Sequence, residues 1–166
     1  LLPANFLIVE GESEKDLLDR IIQRFYSRCP PIQVLSARGD HDRIGANMEA
    51  LNLVFQPLYG NPVYRDKLIL LCDAPSEAKA ESFRLFKARN PRLIKGGQFI
   101  ELTAQQIESY YPDPWRTDEK LQSHQKRNLA KKVAKEIQQE QFERDMPLVF
   151  QALRSCWDNA YTVQQE

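Results

Sequence analysis

The run KLILLCDA at residues 67–74 narrows what this chain can become more than any other stretch. Five apolar side chains follow one another without a polar break. Alternate residues of a strand point to opposite faces, so such a run reads as a strand covered on both sides. Three further runs share this character: NFLIVE (5–10), IQVLSA (32–37) and QFIELT (98–103). Between them lie stretches with helical spacing. SEKDLLDRIIQRFYSR opens with Ser13, with Asp16 three residues on as a capping-box variant. Its Leu17, Leu18, Ile21, Ile22 and Phe25 fall on one stripe. HDRIGANMEALNLVFQPLY (41–59) and SEAKAESFRLFKAR (76–89) behave alike, the latter with Ser76 as its cap. Strand alternating with helix is the pattern of βαβ units, so an α/β fold with a mainly parallel four-stranded sheet is expected.

After residue 103 the pattern turns helical. AQQIESYY stops at Pro112, YPDPWRTDEK is a loop, and HQKRNLAKKVAKEIQQEQF and PLVFQALRSCWDNA read as helices. No repeat, low-complexity stretch or linker interrupts the 166 residues, which suit one domain (1–166). The start lacks both an initiator Met and the profile of a secretory signal, and reads as a domain from a longer polypeptide. No apolar run approaches the roughly 18 residues of a membrane span, so no membrane partner is expected. Cys29, Cys72 and Cys156 are odd in number and widely spaced, as in reduced cytoplasmic proteins. With two histidines and no cysteine pair, structural zinc is disfavoured and any metal would be a hard cation held by oxygens.

The net charge of zero hides a pattern. Residues 84–135 carry 12 basic and 5 acidic side chains, against 9 and 12 before them and 2 and 6 after them. A polyanion could be faced by the middle of the chain, or the helices could simply be solvated unevenly.

Three of the four strands end in an acid: Glu10, Asp73 and Glu101. Glu14 lies four residues past Glu10, and Glu108 follows the last strand. In open α/β sheets ligands bind beyond the carboxyl ends of the strands. Neighbouring parallel strands lie about 4.8 Å apart, so these carboxylates would repel unless a divalent cation joined them. Each has a plainer reading. Glu14 could complement a helix dipole, and Asp73 could cap a loop. Gly11, after Glu10, allows a sharp turn.

A strand ending in Glu-Gly, an acid a few residues on, and a strand-end Asp some 60 residues later resemble a TOPRIM domain. That Rossmann-like fold occurs in topoisomerases, bacterial primases and the OLD (overcoming lysogenization defect) family of ATP-dependent nucleases. IESYYP (107–112) resembles the Ile-Glu-x-Tyr-Tyr-Pro segment of OLD nucleases, and NLAKKVAKEI lies where that family carries a catalytic lysine. The resemblance covers the whole chain and implies a metal-dependent DNA endonuclease or nickase, acting in phage defence or DNA processing. It implies two Mg²⁺ or Mn²⁺ ions. Glu10, Glu14 and Asp73 would hold one; Glu101, Thr103 and Glu108 would help hold the other. Catalysis would fall to Glu10 and Asp73 with Lys131 or Lys132 near the scissile phosphate. It also implies an ATPase domain elsewhere in the full-length chain, and a homo-oligomer is a further option. One departure stands out: TOPRIM domains usually end this strand in Asp-x-Asp, and here Pro75 occupies the second position.

Arg84, Lys87, Arg89, Arg92 and Lys95, with Lys126 and Arg127, would follow the DNA backbone; ordinary solubility is the plainer account. Tyr110, Tyr111 and Trp115 could stack on bases or pack beneath a loop. Asp40 and His41 could line a cleft. Two other readings remain. One is a degenerate TOPRIM module that binds nucleic acid or organises an assembly. The other is a receiver-like domain phosphorylated on Asp73, which would carry a fifth strand.

Overall fold

A computed structural model describes residues 5–37 and 46–162; Asp40 and His41 lie outside them. Four strands form one sheet in the order β2-β1-β3-β4. They are β1 (Asn5–Val9), β2 (Ile32–Ser36), β3 (Leu68–Cys72) and β4 (Phe99–Glu101), each inside its expected run. Every pairing is parallel. All five residues of β3 are buried, as its unbroken apolar sequence requires.

Among the described residues the helices are α1 (Glu12–Phe25), α2 (Ala46–Tyr59), α3 (Ala80–Arg89), α4 (Pro91–Lys95), α5 (Ser123–Glu136), α6 (Gln139–Asp145) and α7 (Pro147–Thr162). The two-residue period of the strands splits the interior into two cores. Leu7, Val9, Ile69 and Leu71 pack with α1, α5 and α7, while Ile8, Leu68, Leu70 and Cys72 pack with α2 and α3. Burying each of the large aliphatic side chains contributes about 1.5–3 kcal/mol. No fifth strand occurs among the described residues, because the chain beyond β4 folds into helices.

Three local expectations are corrected. Helix α1 starts at Glu12 with Gly11 at its cap position. The Ser13 hydroxyl donates to Glu14 Oε2 at 3.0 Å and so is not the cap. Ser76 likewise caps no α-helix: it has extended backbone, and a 3₁₀ turn (Glu77–Lys79) precedes α3. The third correction concerns the long helix expected after residue 123, which breaks at Ile137. That residue is extended and fully buried, and Gln138 opens α6 with its N–H donating to Gln141 Oε1 at 3.4 Å. Arg24, on α1, explains the stop. Its Nη1 donates to the carbonyls of Ala134 (2.6 Å) and Ile137 (2.9 Å), which the end of a helix leaves without partners. At the other end of α5, Arg127 Nε donates to Asp16 Oδ2 at 2.9 Å. Clamped at both ends on α1, helix α5 presents its first turns to the carboxyl edge of the sheet.

Candidate metal centre and phosphate cleft

Register brings the first acids together. Val9 pairs with Leu71, so Glu10 leaves β1 beside the end of β3 and next to Asp73. The two acids lie close enough to shift each other's protonation. Burial, then repulsion by Glu14, lifts Glu10 to about 7, with the ammonium of Lys79 opposing. Asp73 is pushed well above the carboxylate range by burial first, then by Glu14 and Glu10.

Glu14 reaches the same place from the first turn of α1. Gly11 lies against it: a Cβ at that position would sit 2.7 Å from Glu14 Oε2 and displace the carboxylate. Glu14 is only 8% exposed, and burial raises its pKa, opposed by its own N–H and the Ser13 hydroxyl. Glu108 adds further repulsion and Lys126 relieves it. Glu108 comes from the 3₁₀ turn Ile107–Tyr110, is 1% exposed, and leaves Oε1 without a hydrogen-bond partner. Beneath the acids lies Tyr111, fully buried, its hydroxyl also unpartnered.

A cavity of about 990 Å³ opens onto two of these acids, while Glu14 and Glu108 are outside its lining. Glu10 and Asp73 lie in its lining with Lys79, Lys120 and Lys126. One wall is the segment after Pro114, which Gln106 Nε2 holds by donating to the carbonyls of Thr117 and Glu119 (both 3.1 Å).

The other expected residues are placed differently. Glu101 Oε2 accepts from Lys87 Nζ at 3.1 Å, so a lysine from α3 already neutralises it. Thr103 is tied to Tyr110: the tyrosine hydroxyl accepts from the N–H groups of Thr103 and Ala104 (2.8 Å for the latter) and bonds Thr103 Oγ1. Tyr110 therefore fixes the turn after β4, Tyr111 is fully buried, and Trp115 is partly buried against the first core. Lys131 and Lys132 are exposed on α5, beyond the cleft lining. Among the seven basic residues expected to follow DNA, Lys126 lines the cleft. Arg84 binds Glu81, Arg92 pairs with Asp66 at 3.6 Å, Arg127 holds Asp16, and Arg89 and Lys95 are exposed on α3 and α4.

Lys79 and Lys120 escaped the sequence reading. For Lys79 a signal existed: it sits in the loop directly after β3, the carboxyl-edge position that binds ligands in such sheets. Lys120 had none, since its position depends on the fold of a loop.

The residues present fit a hard divalent cation. Four carboxylates approach one another at a cost in burial and repulsion, and one oxygen, Glu108 Oε1, is buried with nothing to bind. Among the described residues no group of three or more His, Cys, Asp or Glu side chains is already drawn into a metal shell, so a bound ion would have to draw them closer. No helix among the described residues is long and apolar enough to cross a membrane. Compared with family models, with curated proteins and with solved structures, the chain matches none.

Proposed function

We propose that this chain is a divalent-cation-dependent phosphodiesterase domain acting on DNA, with Mg²⁺ or Mn²⁺ held by Glu10, Glu14 and Asp73 and assisted by Glu108. The observation that carries the reading is the convergence of these four acids beside a lysine-lined cavity. When bound, such an ion activates water and polarises a phosphate oxygen. Glu10 and Asp73, whose pKa values are raised, would bind the ion as carboxylates, and Glu14 and Glu108 would lose their mutual repulsion. Lys126 and Lys79, compact point charges in the cavity lining, would hold the phosphodiester and offset the charge that grows on it during attack. Lys120 would contact the next phosphate. Glu101, occupied by Lys87, is a poor candidate for a second ion. The TOPRIM and OLD resemblance agrees with this reading through Glu10, Glu14, Asp73 and Glu108.

The test is plasmid cleavage in Mg²⁺ or Mn²⁺ by the unaltered chain, Glu10→Ala and Asp73→Ala. Cleavage by the first and at least about 10³-fold less by the variants is expected. Equal rates from all three would refute the reading.

One observation favours a second reading, a nucleic-acid-binding module without catalysis. Pro75 stands where a further carboxylate would complete the site. Calorimetry decides: the catalytic reading requires Mg²⁺ binding that Asp73→Ala removes, and this one requires none.

A further inference from the structure

The opposite edge of the sheet carries a different kind of surface. Strand β2 is terminal in the sheet, and among the described residues no strand pairs with its outer side. The Ala37 N–H donates to Val9 O at 2.8 Å, which fixes the alternation along the strand. Gln33 and Leu35 direct their backbone groups to β1, and Ile32, Val34 and Ser36 direct theirs outward. A groove of about 520 Å³ runs along this edge, walled by Lys15 and Asp19 of α1 on one side and Val54 of α2 on the other. An uncovered edge of this kind is a template for another strand.

We propose that the occupant is a second copy of this chain, joined by antiparallel pairing of β2 with β2 about a two-fold axis at Val34. The outward backbone groups suit this symmetry. Val34 meets its own copy and Ile32 meets Ser36, which gives about six new hydrogen bonds and a continuous eight-stranded sheet. Charge selects the same axis. Ser36 Oγ donates to Glu12 Oε1 at 2.7 Å, placing the start of α1 level with Ser36. The midpoint of Lys15 and Asp19 then lies about 7.5 Å down the helix, and Val34 about 6.6 Å down the strand. A two-fold axis at Val34 therefore sets Lys15 opposite Asp19 of the second copy. Within one chain these two already pair at 2.7 Å and are 36% and 50% exposed, so the same groups can bridge the copies. On the other face the two Val54 side chains close the groove. The axis reverses strand direction, so the two acidic clefts open at opposite ends of the dimer and stay accessible.

The inference stands apart from the catalytic reading. Analytical ultracentrifugation of the 166-residue chain tests it, with Lys15→Glu, the swap Lys15→Glu/Asp19→Lys, and Val54→Lys, each checked for retained helicity by circular dichroism. A dimer is expected, weakened about 10-fold or more by Lys15→Glu and by Val54→Lys, and restored to within about 3-fold by the swap. A monomer up to about 100 μM, where such an interface should be populated, would overturn the proposal. So would a dimer indifferent to Lys15→Glu and Val54→Lys, or a loss that the swap does not repair.

Discussion

Two sets of acids stand at one edge of the same sheet and have opposite electrostatic fates. Glu101, at the end of β4, meets Lys87 at 3.1 Å and is one-third exposed. At the ends of β1 and β3, Glu10, Glu14 and Asp73 crowd together with Glu108, and among the described residues none of the four closes an ion pair. Side-chain type and strand-end position are shared, so neither marks a site. What separates the sets is whether the chain supplies its own counter-charge. Where it does, the acid is part of the fold's surface; where it does not, folding leaves a deficit that a cation from solution can fill.

The comparison breaks most sharply in cleavage assays of Glu108→Gln and Glu101→Gln. Each swap keeps the shape and removes one charge. Loss of the Glu108 carboxylate should lower cleavage about 10²–10³-fold, because it is buried with an unpartnered oxygen and acts on Glu14 and Asp73. Glu101→Gln should stay within about 3-fold, its charge being already spent on Lys87. Equal losses would mean that both sets serve one reaction, and the distinction drawn here would fail.

A second measurement uses stability without metal. Glu10 titrates near 7 in the folded chain, against an ordinary value of 4.5. Between those values the folded state holds a proton that the unfolded state has released, so stability falls as pH rises through this window. The full deficit persists above it. It amounts to about 3 kcal/mol at most for Glu10. Urea unfolding in EDTA at pH 8 should therefore find Glu10→Gln more stable than the unaltered chain, the gain vanishing below about pH 4.5. Glu101→Gln should instead be neutral or cost up to about 1 kcal/mol. A Glu10→Gln variant less stable at pH 8 would show that its partners already compensate the charge.

Much of this contrast was legible in the sequence, and its decisive part was not. Short, largely continuous apolar runs marked all four strands, most clearly β3, whose five residues are all buried. Strand-end position gave Glu10, Asp73 and Glu101. The pairing of Glu101 with Lys87 depends on how α3 lies over β4, which no spacing of residues encodes. The break at Ile137 was hidden for a similar reason: it follows from Arg24, 113 residues away, capping the end of α5. Periodicity reports the face of a helix and says nothing of the distant side chain that ends it. The same limit applies to the lysines. Lys126, Lys131 and Lys132 lie on one helix with similar surroundings in sequence, and only the docking of α5 sets Lys126 in the cleft lining.

That choice supplies the smallest of the expected effects. Lys126 lines the cleft and lowers the pKa of Glu14, whereas Lys131 and Lys132 face solvent further along α5. Under saturating Mg²⁺, Lys126→Ala should slow cleavage about 10–100-fold, and Lys131→Ala or Lys132→Ala should remain within about 2-fold. Salt separates a catalytic part from a recruiting one. If Lys126 only attracts DNA, its loss should be recovered at low ionic strength, where the remaining basic residues suffice. If it steadies the reacting phosphate, the defect should persist at every salt concentration, because charge that develops at the phosphate needs a cation within contact range. A persistent defect in Lys131→Ala or Lys132→Ala would place the working end of α5 two turns from the acids, and would require that helix to slide along α1 against its clamps at Arg24 and Arg127.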